Sequence, residues 1–388
     1  MRWFQSALGA AALLTVGAAP AADPWTAAWT ASMWQAGNAE QRLVVDNATI
    51  RATVRVGAAG GKLRLRLAND YGPAIAIGAA TVRVAGGAAV PLTFDGQGTT
   101  TLPQGAPLLS DAVALPVKAF DLVEISIFLP GHAELATVHN AGGAPTFVSG
   151  PGDHSAGDFT PVSKTAFRPL IAGIDVLGAK ARPVVVAYGD SITDNTGCAN
   201  EAMPICRWGD VLGRRFAAAG MPHVVVTQAI SGNRILATGA GPSALARFDR
   251  DVLALPGVSH VVILEGINDI GNSGRGGNPV VTPAALIQGY RQLIQRAHEH
   301  GIKVIGMTIL QYEGAGYASP EGEATRVAVN NWMRSSRAFD AVIDMEKVVA
   351  DPANPKRLAS ALQGGDNLHP NGRGETAMGE AIDLKLFK

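Results

Sequence analysis

The sequence has little of several features that mark other classes of protein. Its 388 residues include only two cysteines, which excludes a cysteine-rich metal or disulfide scaffold. Lysine plus arginine and aspartate plus glutamate both number 32, so the net charge is zero and no basic surface is indicated for nucleic acid or an anionic membrane. No repeat of solenoid length is present. What remains, 47% hydrophobic and 16% charged residues, is typical of a packed globular protein long enough for two domains.

Residues 1–21 have the pattern of a secretion signal. Arg2 precedes an apolar run over residues 7–16, and small residues end at Ala19-Pro20-Ala21. The run is shorter than the roughly 20 apolar residues that span a bilayer. We therefore predict a cleaved signal and a secreted or periplasmic protein with no membrane span afterwards. An uncleaved N-terminal anchor is the alternative.

The two cysteines, Cys198 and Cys206, lie in one short segment. In an exported protein a close pair of this kind predicts a disulfide that closes the loop of residues 199–205, with two free thiols as the alternative. So few soft ligands give no reason to expect a metal site.

From residue 22 to residue 178 the sequence predicts an all-β domain. Short alternating or β-branched runs are separated by glycine-rich turn signals, and no long helical period interrupts them. This pattern is typical of an antiparallel sandwich of jelly-roll type. The predicted strands cover residues 49–56, 62–67, 79–84, 112–115, 122–129 and 170–177.

From residue 179 to residue 388 the pattern changes to strands that alternate with amphipathic helices. Such alternation predicts a parallel sheet covered on both faces, with ligands at the carboxyl ends of its strands. The predicted strands are residues 184–188, 224–228, 258–264, 303–310 and 341–344. The predicted helices are residues 208–219, 243–255, 283–300, 321–337 and 373–386.

Two distant segments carry the residues of a nucleophilic serine site. The first predicted parallel strand runs into Gly189-Asp190-Ser191, a sharp turn that presents a hydroxyl. Near the C-terminus, Asp366 and His369 lie three residues apart. A serine needs an imidazole to accept its proton and a carboxylate to orient that imidazole, so these segments together suggest a serine hydrolase. Alone, the first segment also suits a plain turn with the serine as a helix cap.

Two further segments follow the second and third predicted strands of the sheet. Gly232 and Asn233 come after the second strand, and a Gly-x-Asn-Asp run that contains Asn268 comes after the third. A glycine allows close approach of its backbone N–H to a substrate, and an asparagine amide can donate to a developing oxyanion. Either segment in isolation also reads as an ordinary loop.

These four segments, in this order, resemble the SGNH hydrolases, also called the GDSL esterase and lipase family. The resemblance implies a three-layer α/β/α domain with a parallel sheet. It implies that Ser191 is the nucleophile, His369 the general base and acid, and Asp366 the residue that orients the imidazole. It further implies an oxyanion hole made by the backbone N–H groups of Ser191 and Gly232 and the side-chain amide of Asn268, with no metal or organic cofactor.

The segments around residues 232–234, 241–251 and 289–291 are similar to a secreted bacterial branch in which a β-rich domain precedes the hydrolase. This similarity favours an esterase that hydrolyses short acyl groups, especially acetyl, on carbohydrates or similar small esters. An O-acyltransferase acting on sugar hydroxyls, a lipase or arylesterase, and a glycan-binding protein with an idle hydrolase scaffold are the alternatives. The oligomeric state stays open.

Several other residues have competing interpretations. Asn233 and Arg234 are candidates for substrate contact, although a structural role suits the arginine better. Asp190 is expected to brace the nucleophile turn. Asp344 ends a predicted strand and is the alternative triad acid. The tryptophans of the mature N-terminus could stack on sugars, but core packing or domain docking is favoured; they are Trp25, Trp29 and Trp34.

Overall fold

A computed structural model describes residues 23–140, 144–194 and 206–388 of the protein. The strands from Trp25 to Leu177, called the β domain below, pair antiparallel. Their bounds are β1 Trp25–Thr30, β2 Trp34–Gln35, β3 Leu43–Arg55, β4 Gly60–Asn69, β5 Ile75–Ile77, β6 Ala79–Val84, β7 Val90–Pro91, β8 Thr100–Leu102, β9 Ala106–Leu109, β10 Val113–Val117, β11 Leu122–Leu135, β12 Thr137–Asn140, β13 Thr146–Pro151, β14 Ser163–Thr165, β15 Phe167–Pro169 and β16 Ile171–Leu177.

Two large sheets make up most of the β domain. One contains β1, β16, β4 and β10 in that order, with β9 also on β4, and the other contains β14, β13, β3, β11, β6 and β7. Alternate residues on their long strands, such as Leu63 and Leu65 on β4 and Ile125 and Ile127 on β11, are fully buried. This alternation forms the apolar core between two sheets, as the sequence predicts.

The chain from Val184 to Phe387, called the α/β domain below, contains a five-stranded parallel sheet in the order β18-β17-β19-β20-β21. Its strands are β17 Val184–Gly189, β18 Val224–Ala229, β19 Val258–Leu264, β20 Lys303–Met307 and β21 Ala341–Ile343. Its helices are α1 Ser191–Asp194, α2 Trp208–Ala218, α3 Ala244–Phe248, α4 Ile267–Gly271, α5 Pro283–Glu299, α6 Pro320–Ser336, α7 Met345–Val349 and α8 Gly372–Ala381, with a π-turn at Asp249–Leu253 and a 3₁₀ turn at Leu384–Phe387.

Most predicted elements of the α/β domain are present within one or two residues, and two end earlier than predicted. Strand β20 stops at Met307 because the next residues bond elsewhere: the backbone N–H of Ile309 donates to the side chain of Asn330 at 2.8 Å. Helix α8 stops at Ala381, and Asp383 then accepts from the backbone N–H of Lys385 to begin the 3₁₀ turn. The boundaries of the domains at residues 21 and 178 stay predictions.

The two domains are in direct contact along the edge strand β18. Helices cover the faces of the parallel sheet, whereas β1 of the β domain packs beside β18. The Thr30 hydroxyl donates to the carbonyl of Thr227 at 3.0 Å, and the Ser32 hydroxyl donates to the side-chain oxygen of Gln228 at 2.6 Å. The β domain therefore covers a sheet edge that would otherwise be exposed.

Among the described residues, no helix is both long and apolar enough to cross a bilayer. The same residues contain no cluster of three or more histidine, cysteine or acidic side chains placed to hold a metal ion.

Candidate active site

The proposed nucleophile follows strand β17, which lies inside the sheet between β18 and β19 and is buried throughout. Ser191 begins the one-turn helix α1, and the Asp190 side chain accepts from the backbone N–H of Ile192 at 3.0 Å. Position 189 has no room for a side chain, because a Cβ there would lie 2.3 Å from the carbonyl oxygen of Leu264 on the neighbouring strand. Only glycine fits at this position. The turn is therefore narrow and braced, and it presents the serine at the carboxyl edge of the sheet.

The structure brings the three predicted triad side chains together. The Ser191 hydroxyl oxygen lies 2.7 Å from Nε2 of His369, and Nδ1 of the same ring lies 2.6 Å from Oδ2 of Asp366. The other carboxylate oxygen of Asp366 accepts from the backbone N–H groups of Leu368 at 3.0 Å and of His369 at 2.9 Å. One carboxylate thus holds both the backbone and the ring of the histidine, in the geometry that a serine nucleophile with a general base requires.

The acid end of this triad is open to solvent. The side chains of His369 and Asp366 are 34% and 51% exposed. Partial burial tends to raise the pKa of Asp366, but the hydrogen bonds from the His369 ring and from two backbone N–H groups outweigh it, and the net pKa lies below the ordinary value. Asp366 is therefore ionised at neutral pH and can stabilise a protonated imidazole.

Two backbone N–H groups are available beside the serine. Within the described part of the chain, those of Ser191 and Gly232 donate to no backbone or side-chain acceptor. Gly232 has a φ of 79°, a left-handed conformation that favours glycine, and it follows strand β18 at the same edge of the sheet. Both groups have the freedom that oxyanion donors need.

The third predicted donor, Asn268, is held by contacts on both ends of its amide. Its Nδ2 donates to the backbone carbonyl of Asn233 at 3.1 Å and lies 3.4 Å from a carboxylate oxygen of Asp190. Its Oδ1 accepts from the Tyr317 hydroxyl at 3.4 Å. These contacts orient the side-chain amide so that its NH₂ group faces the loop of Asn233 and the turn that presents Ser191.

The two oxyanion segments are also tied to each other. Asp269 accepts from the backbone N–H groups of Ile235 at 2.7 Å and of Leu236 at 3.0 Å. Gly266, just before α4, has a φ of 110°, which favours glycine and turns the chain from β19 directly into the helix. The loop after β18 and the helix after β19 therefore form one rigid unit.

A group of buried carboxyls lies beneath this unit. Burial raises the pKa of Asp190 to about 7 and that of Asp269 to about 6. Burial, with the nearby Asp190 carboxyl, also raises the pKa of Glu265 well above its ordinary value. The Glu265 side chain is fully buried, and neither of its carboxyl oxygens has a hydrogen-bond partner in the described structure, although one lies 3.6 Å from Nη2 of Arg247. Burial therefore favours the neutral form of Glu265, and the guanidinium of Arg247 partly opposes this effect.

We expect Glu265→Gln to remove part of the pH dependence of stability. Because the folded-state pKa of Glu265 is raised, the folded state retains a proton that the unfolded state releases, so the free energy of unfolding falls as the pH rises above about 4. Glutamine does not titrate. Between pH 5 and pH 8 the variant should therefore gain stability relative to wild type, because wild type loses free energy of unfolding over that range and the variant does not. Urea unfolding at the two pH values measures this.

The exposed Glu299→Gln on α5 is the matched control for that experiment. It replaces a carboxyl by an amide at the surface and should leave the difference in the free energy of unfolding between the two pH values as in wild type. An equal gain from both variants would contradict a specific role for the buried carboxyl.

The side chains of the two residues suggested for substrate contact bond to other parts of the protein. Asn233 is only 1% exposed, and its amide donates to the carbonyls of Ala240 and Pro242, so its side chain offers no surface to a substrate in this conformation. Arg234 donates to Asn278 at 2.8 Å and to the carbonyl of Thr238 at 2.6 Å. Both side chains shape the loop after β18, and substrate contact by Arg234 stays a prediction.

Asp344 does not approach the catalytic histidine through any contact in the described structure. Its carboxylate instead pairs with Arg334 at 2.6 Å and Lys347 at 2.7 Å. The partner of His369 is Asp366, as the sequence order implies.

The N-terminal tryptophans contact other side chains of the protein. Trp25 lies under the guanidinium of Arg64, and Trp29 lies under that of Arg168. Trp34 packs edge to face with Phe167. These contacts agree with the favoured interpretation of packing and docking.

Two predictions fall on residues outside the described ranges. Cys198 belongs to them, so its disulfide with Cys206 stays a prediction, as does the signal at residues 1–21.

Three residues of the site were not identified from the sequence. Arg247 lies within the run 241–251 that was singled out only for its similarity to a secreted branch, and its guanidinium is fully buried beneath the site. Glu265 directly precedes the Gly-x-Asn-Asp segment, which is its only sequence signal. Tyr317 carries none, because it comes from a loop that only the fold brings beside Asn268.

Part of the chain is similar to a known protein family and to several solved structures. Residues 187–377 match the model of the GDSL-like lipase/acylhydrolase family. Among solved structures, an acetylxylan esterase from Geobacillus stearothermophilus is 20% identical over 51% of this chain and 91% of that chain, with a TM-score of 0.41. A GDSL-like lipase from Bacteroides thetaiotaomicron is 20% identical over 54% of this chain and 92% of that chain, with a TM-score of 0.39.

The comparison with curated proteins finds no match. The family model begins within strand β17 and covers the turn at Ser191, the segments of Gly232 and Asn268, and the Asp366–His369 pair. Residues 187–377, which lie within the α/β domain, therefore form a domain of the GDSL-like lipase/acylhydrolase family.

Proposed function

We propose that the protein is an exported serine esterase that removes short acyl groups, acetyl above all, from carbohydrates or similar alcohols. The observation that carries this proposal is the continuous chain of contacts from Asp366 through His369 to Ser191, at the same sheet edge as three amide donors. Such donors contribute most to acyl transfer when they are fixed before charge develops.

The reaction follows from these contacts. The Ser191 oxygen attacks the ester carbonyl as its proton passes to Nε2 of His369, and the amide groups of Ser191, Gly232 and Asn268 donate to the resulting oxyanion. The imidazolium then protonates the departing alkoxide, which leaves the acyl group on the serine. Water attacks the acyl carbonyl as its proton passes to the same nitrogen. The bond between the acyl carbon and the Ser191 oxygen then breaks, the imidazolium returns the proton to that oxygen, and the acid is released.

The exposure of the triad supports a bulky alcohol portion in the substrate. His369 protonates the leaving alkoxide, and its ring is one-third exposed while its partner Asp366 is half exposed. An alcohol that belongs to a larger glycan can therefore remain outside the protein while its ester reaches the serine. The similarity of residues 241–251 to a secreted branch with a β-rich domain further favours a carbohydrate ester.

A direct test measures acetate release by the wild-type protein from acetylated xylan and other acetylated polysaccharides, beside p-nitrophenyl acetate. We expect both kinds of substrate to be hydrolysed. Hydrolysis of the nitrophenyl ester alone would restrict the proposal to small esters. Acyl transfer to an added sugar that exceeds hydrolysis would instead assign an O-acyltransferase, and no turnover of any ester would contradict the proposal.

Tyr317 is expected to limit the length of the acyl group. Its hydroxyl contacts Asn268, and its ring packs so closely on Gly271 that a Cβ there would lie 2.0 Å from a ring carbon. The ring therefore occupies space beside the oxyanion donor. We expect Tyr317→Ala to raise the kcat/KM ratio of hexanoate over acetate esters about tenfold, the scale of discrimination by apolar pockets.

Tyr317→Phe is the control, because it keeps the ring and removes only the hydroxyl. It should leave the preference for chain length as in wild type, measured with nitrophenyl esters of two to eight carbons. An unchanged preference in Tyr317→Ala would show that another side chain limits the acyl group.

A further inference from the structure

We propose that Arg247 is a positioning residue for the oxyanion hole, and that through Ser32 it makes the β domain a working part of the site. The inference rests on the proposed esterase function, because an oxyanion hole has a measurable role only in acyl transfer. It concerns the purpose of the β domain, which the chemistry of the triad leaves open.

The guanidinium of Arg247 joins the carboxyl ends of the neighbouring strands β17 and β18. Its Nη2 donates to the carbonyl of Gly189 at 2.9 Å, and its Nη1 donates to the carbonyl of Gln228 at 3.0 Å. Its Nε donates to the side-chain oxygen of Asn233 at 2.9 Å. The charge is paired with Asp251 at 3.0 Å. The planar face of the group lies over the ring of the residue before Gly189, with 4.1 Å to the ring centroid.

Two of these contacts end close to a predicted oxyanion donor. Gly189 is two residues before Ser191, and its carbonyl also accepts from the backbone N–H of Ile230, the first residue after β18, at 3.1 Å. Asn233 follows Gly232, and its own backbone carbonyl accepts from the Asn268 amide. A single cation thus sets the relative positions of all three donors without itself touching the reacting atoms.

The β domain completes the same network. The Ser32 hydroxyl accepts from Nη1 of Arg247 at 3.1 Å while it donates to the side chain of Gln228. The carbonyl of Ser32 lies 2.8 Å from Nδ1 of His139, whose Nε2 lies 3.3 Å from the carboxylate of Asp194 on the nucleophile helix. The β domain therefore reaches both the oxyanion segments and the helix that begins with the nucleophile.

The cost of burying this charge supports a role beyond stability. The Arg247 side chain has no exposed surface, and a buried ion pair usually gives no more stability than apolar side chains of the same volume. A planar guanidinium with five donors can, however, fix several carbonyl groups at defined distances, which an apolar side chain cannot do. Fixed strand ends are what preorganised oxyanion donors require.

The test compares kcat and KM of wild type with Arg247→Met, Arg247→Lys and Ser32→Ala, using p-nitrophenyl acetate. Misplacement of about 1 Å costs about 10²-fold in rate, so we expect Arg247→Met to lower kcat about 10²-fold with KM within about twofold of wild type. Arg247→Lys keeps the positive charge but loses the planar set of N–H donors, so its kcat should be little higher than that of Arg247→Met. Ser32→Ala, a small change in the β domain, should lower kcat severalfold.

Arg250→Met is the matched control. Arg250 also joins the domains, through Asp70 at 2.6 Å and the carbonyl of Met33 at 2.9 Å, and it also pairs with Asp251. It contacts none of the strand ends beside the donors. We expect Arg250→Met to lower the melting temperature. Its kcat per folded molecule should equal that of wild type, with the folded fraction determined by circular dichroism.

A double-mutant cycle with Asn268→Ala separates positioning from general stability. If Arg247 acts through the donors, the effects of Arg247→Lys and Asn268→Ala on kcat overlap, and the double variant is markedly more active than the product of the two single effects predicts. Ser32→Ala with Asn268→Ala gives the same comparison should the arginine variants fail to fold. Multiplicative effects in a folded pair, or an equal loss of kcat in Arg250→Met, would overturn the inference.

The proposed function fails differently from this inference. Wild-type protein that hydrolyses no ester, or hydrolysis that survives Ser191→Ala unchanged, would refute the esterase itself. Hydrolysis that depends on Ser191 while the cycles show no coupling would refute only the positioning role of Arg247.

Discussion

Replacement of Ser191 by alanine is expected to lower kcat for p-nitrophenyl acetate about 10⁵- to 10⁶-fold, as loss of the nucleophile does in serine hydrolases. The variant keeps the oxyanion donors and the His369–Asp366 pair, so a residual rate somewhat above the uncatalysed one remains. Alanine leaves the backbone of the turn unchanged, because the brace from the Asp190 side chain goes to the next backbone N–H. The loss of kcat is measured in stopped assays of p-nitrophenyl acetate hydrolysis, with active-site titration of the wild type to give its concentration of active enzyme.

The α/β domain contains a second serine beside a histidine, which provides a sharp control. The Ser259 hydroxyl lies 2.9 Å from Nδ1 of His260 and donates to the carbonyl of Val184 at 3.2 Å. This pair stands at the opposite end of the sheet, where β17 and β19 begin. Burial, together with the nearby Lys303, lowers the pKa of His260 to about 4.

Ser259→Ala should therefore keep the full rate, because its histidine has neither an orienting carboxylate nor oxyanion donors. A loss of activity in Ser259→Ala comparable to that in Ser191→Ala, or wild-type activity in both, would contradict the assignment of the nucleophile.

The sequence was sufficient for the elements that depend on local periodicity. Strand β19 at Val258–Leu264 and strand β6 at Ala79–Val84 have the predicted bounds, because continuous or alternating apolar residues leave one way to bury them. The order of four short segments along a parallel sheet also placed Ser191, Gly232 and Asn268 at one edge. Parallel strands share the direction of their carboxyl ends, so residues after each strand meet.

Contacts between distant parts of the chain were not accessible to the same reasoning. Ser32 and Arg247 are 215 residues apart and meet only because β1 packs beside the edge strand β18. Tyr317 reaches Asn268 from a loop with no periodic pattern. Side-chain pairing across a domain boundary depends on docking geometry, which a single sequence does not encode in any local signal.

The role of the β domain illustrates the difference. The resemblance to a secreted branch suggested an accessory domain that could bind glycan, whereas packing or docking was the favoured role of its tryptophans. Trp25 and Trp29 do lie under arginine side chains, and the contact of this domain with the buried guanidinium of Arg247 comes from a serine, Ser32. Small polar residues at turns carry little sequence signal, yet their hydrogen bonds decide how the domains meet.

Asp366→Asn is expected to lower kcat about 10³- to 10⁴-fold, because the amide changes the tautomer of the catalytic imidazole. In wild type, the ionised carboxylate accepts from Nδ1 of His369, which leaves Nε2 free to accept the serine proton. The amide NH₂ group of asparagine would donate to Nδ1 and move the ring proton to Nε2, so the histidine could no longer act as a base. The side-chain oxygen still accepts from the two backbone N–H groups, so the loop is expected to keep its shape.

Asp344→Asn provides the comparison for that loss, since Asp344 is the other acidic residue that the sequence offers to His369. Its carboxylate pairs with Arg334 and Lys347, so the change should lower the melting temperature and leave kcat per folded molecule unaltered. The ring NMR resonances of His369 report the tautomer directly in both variants. If Asp366→Asn retains kcat within tenfold while Asp344→Asn loses it, the acid of the triad is Asp344. The 2.6 Å contact between Asp366 and the imidazole then has no catalytic role.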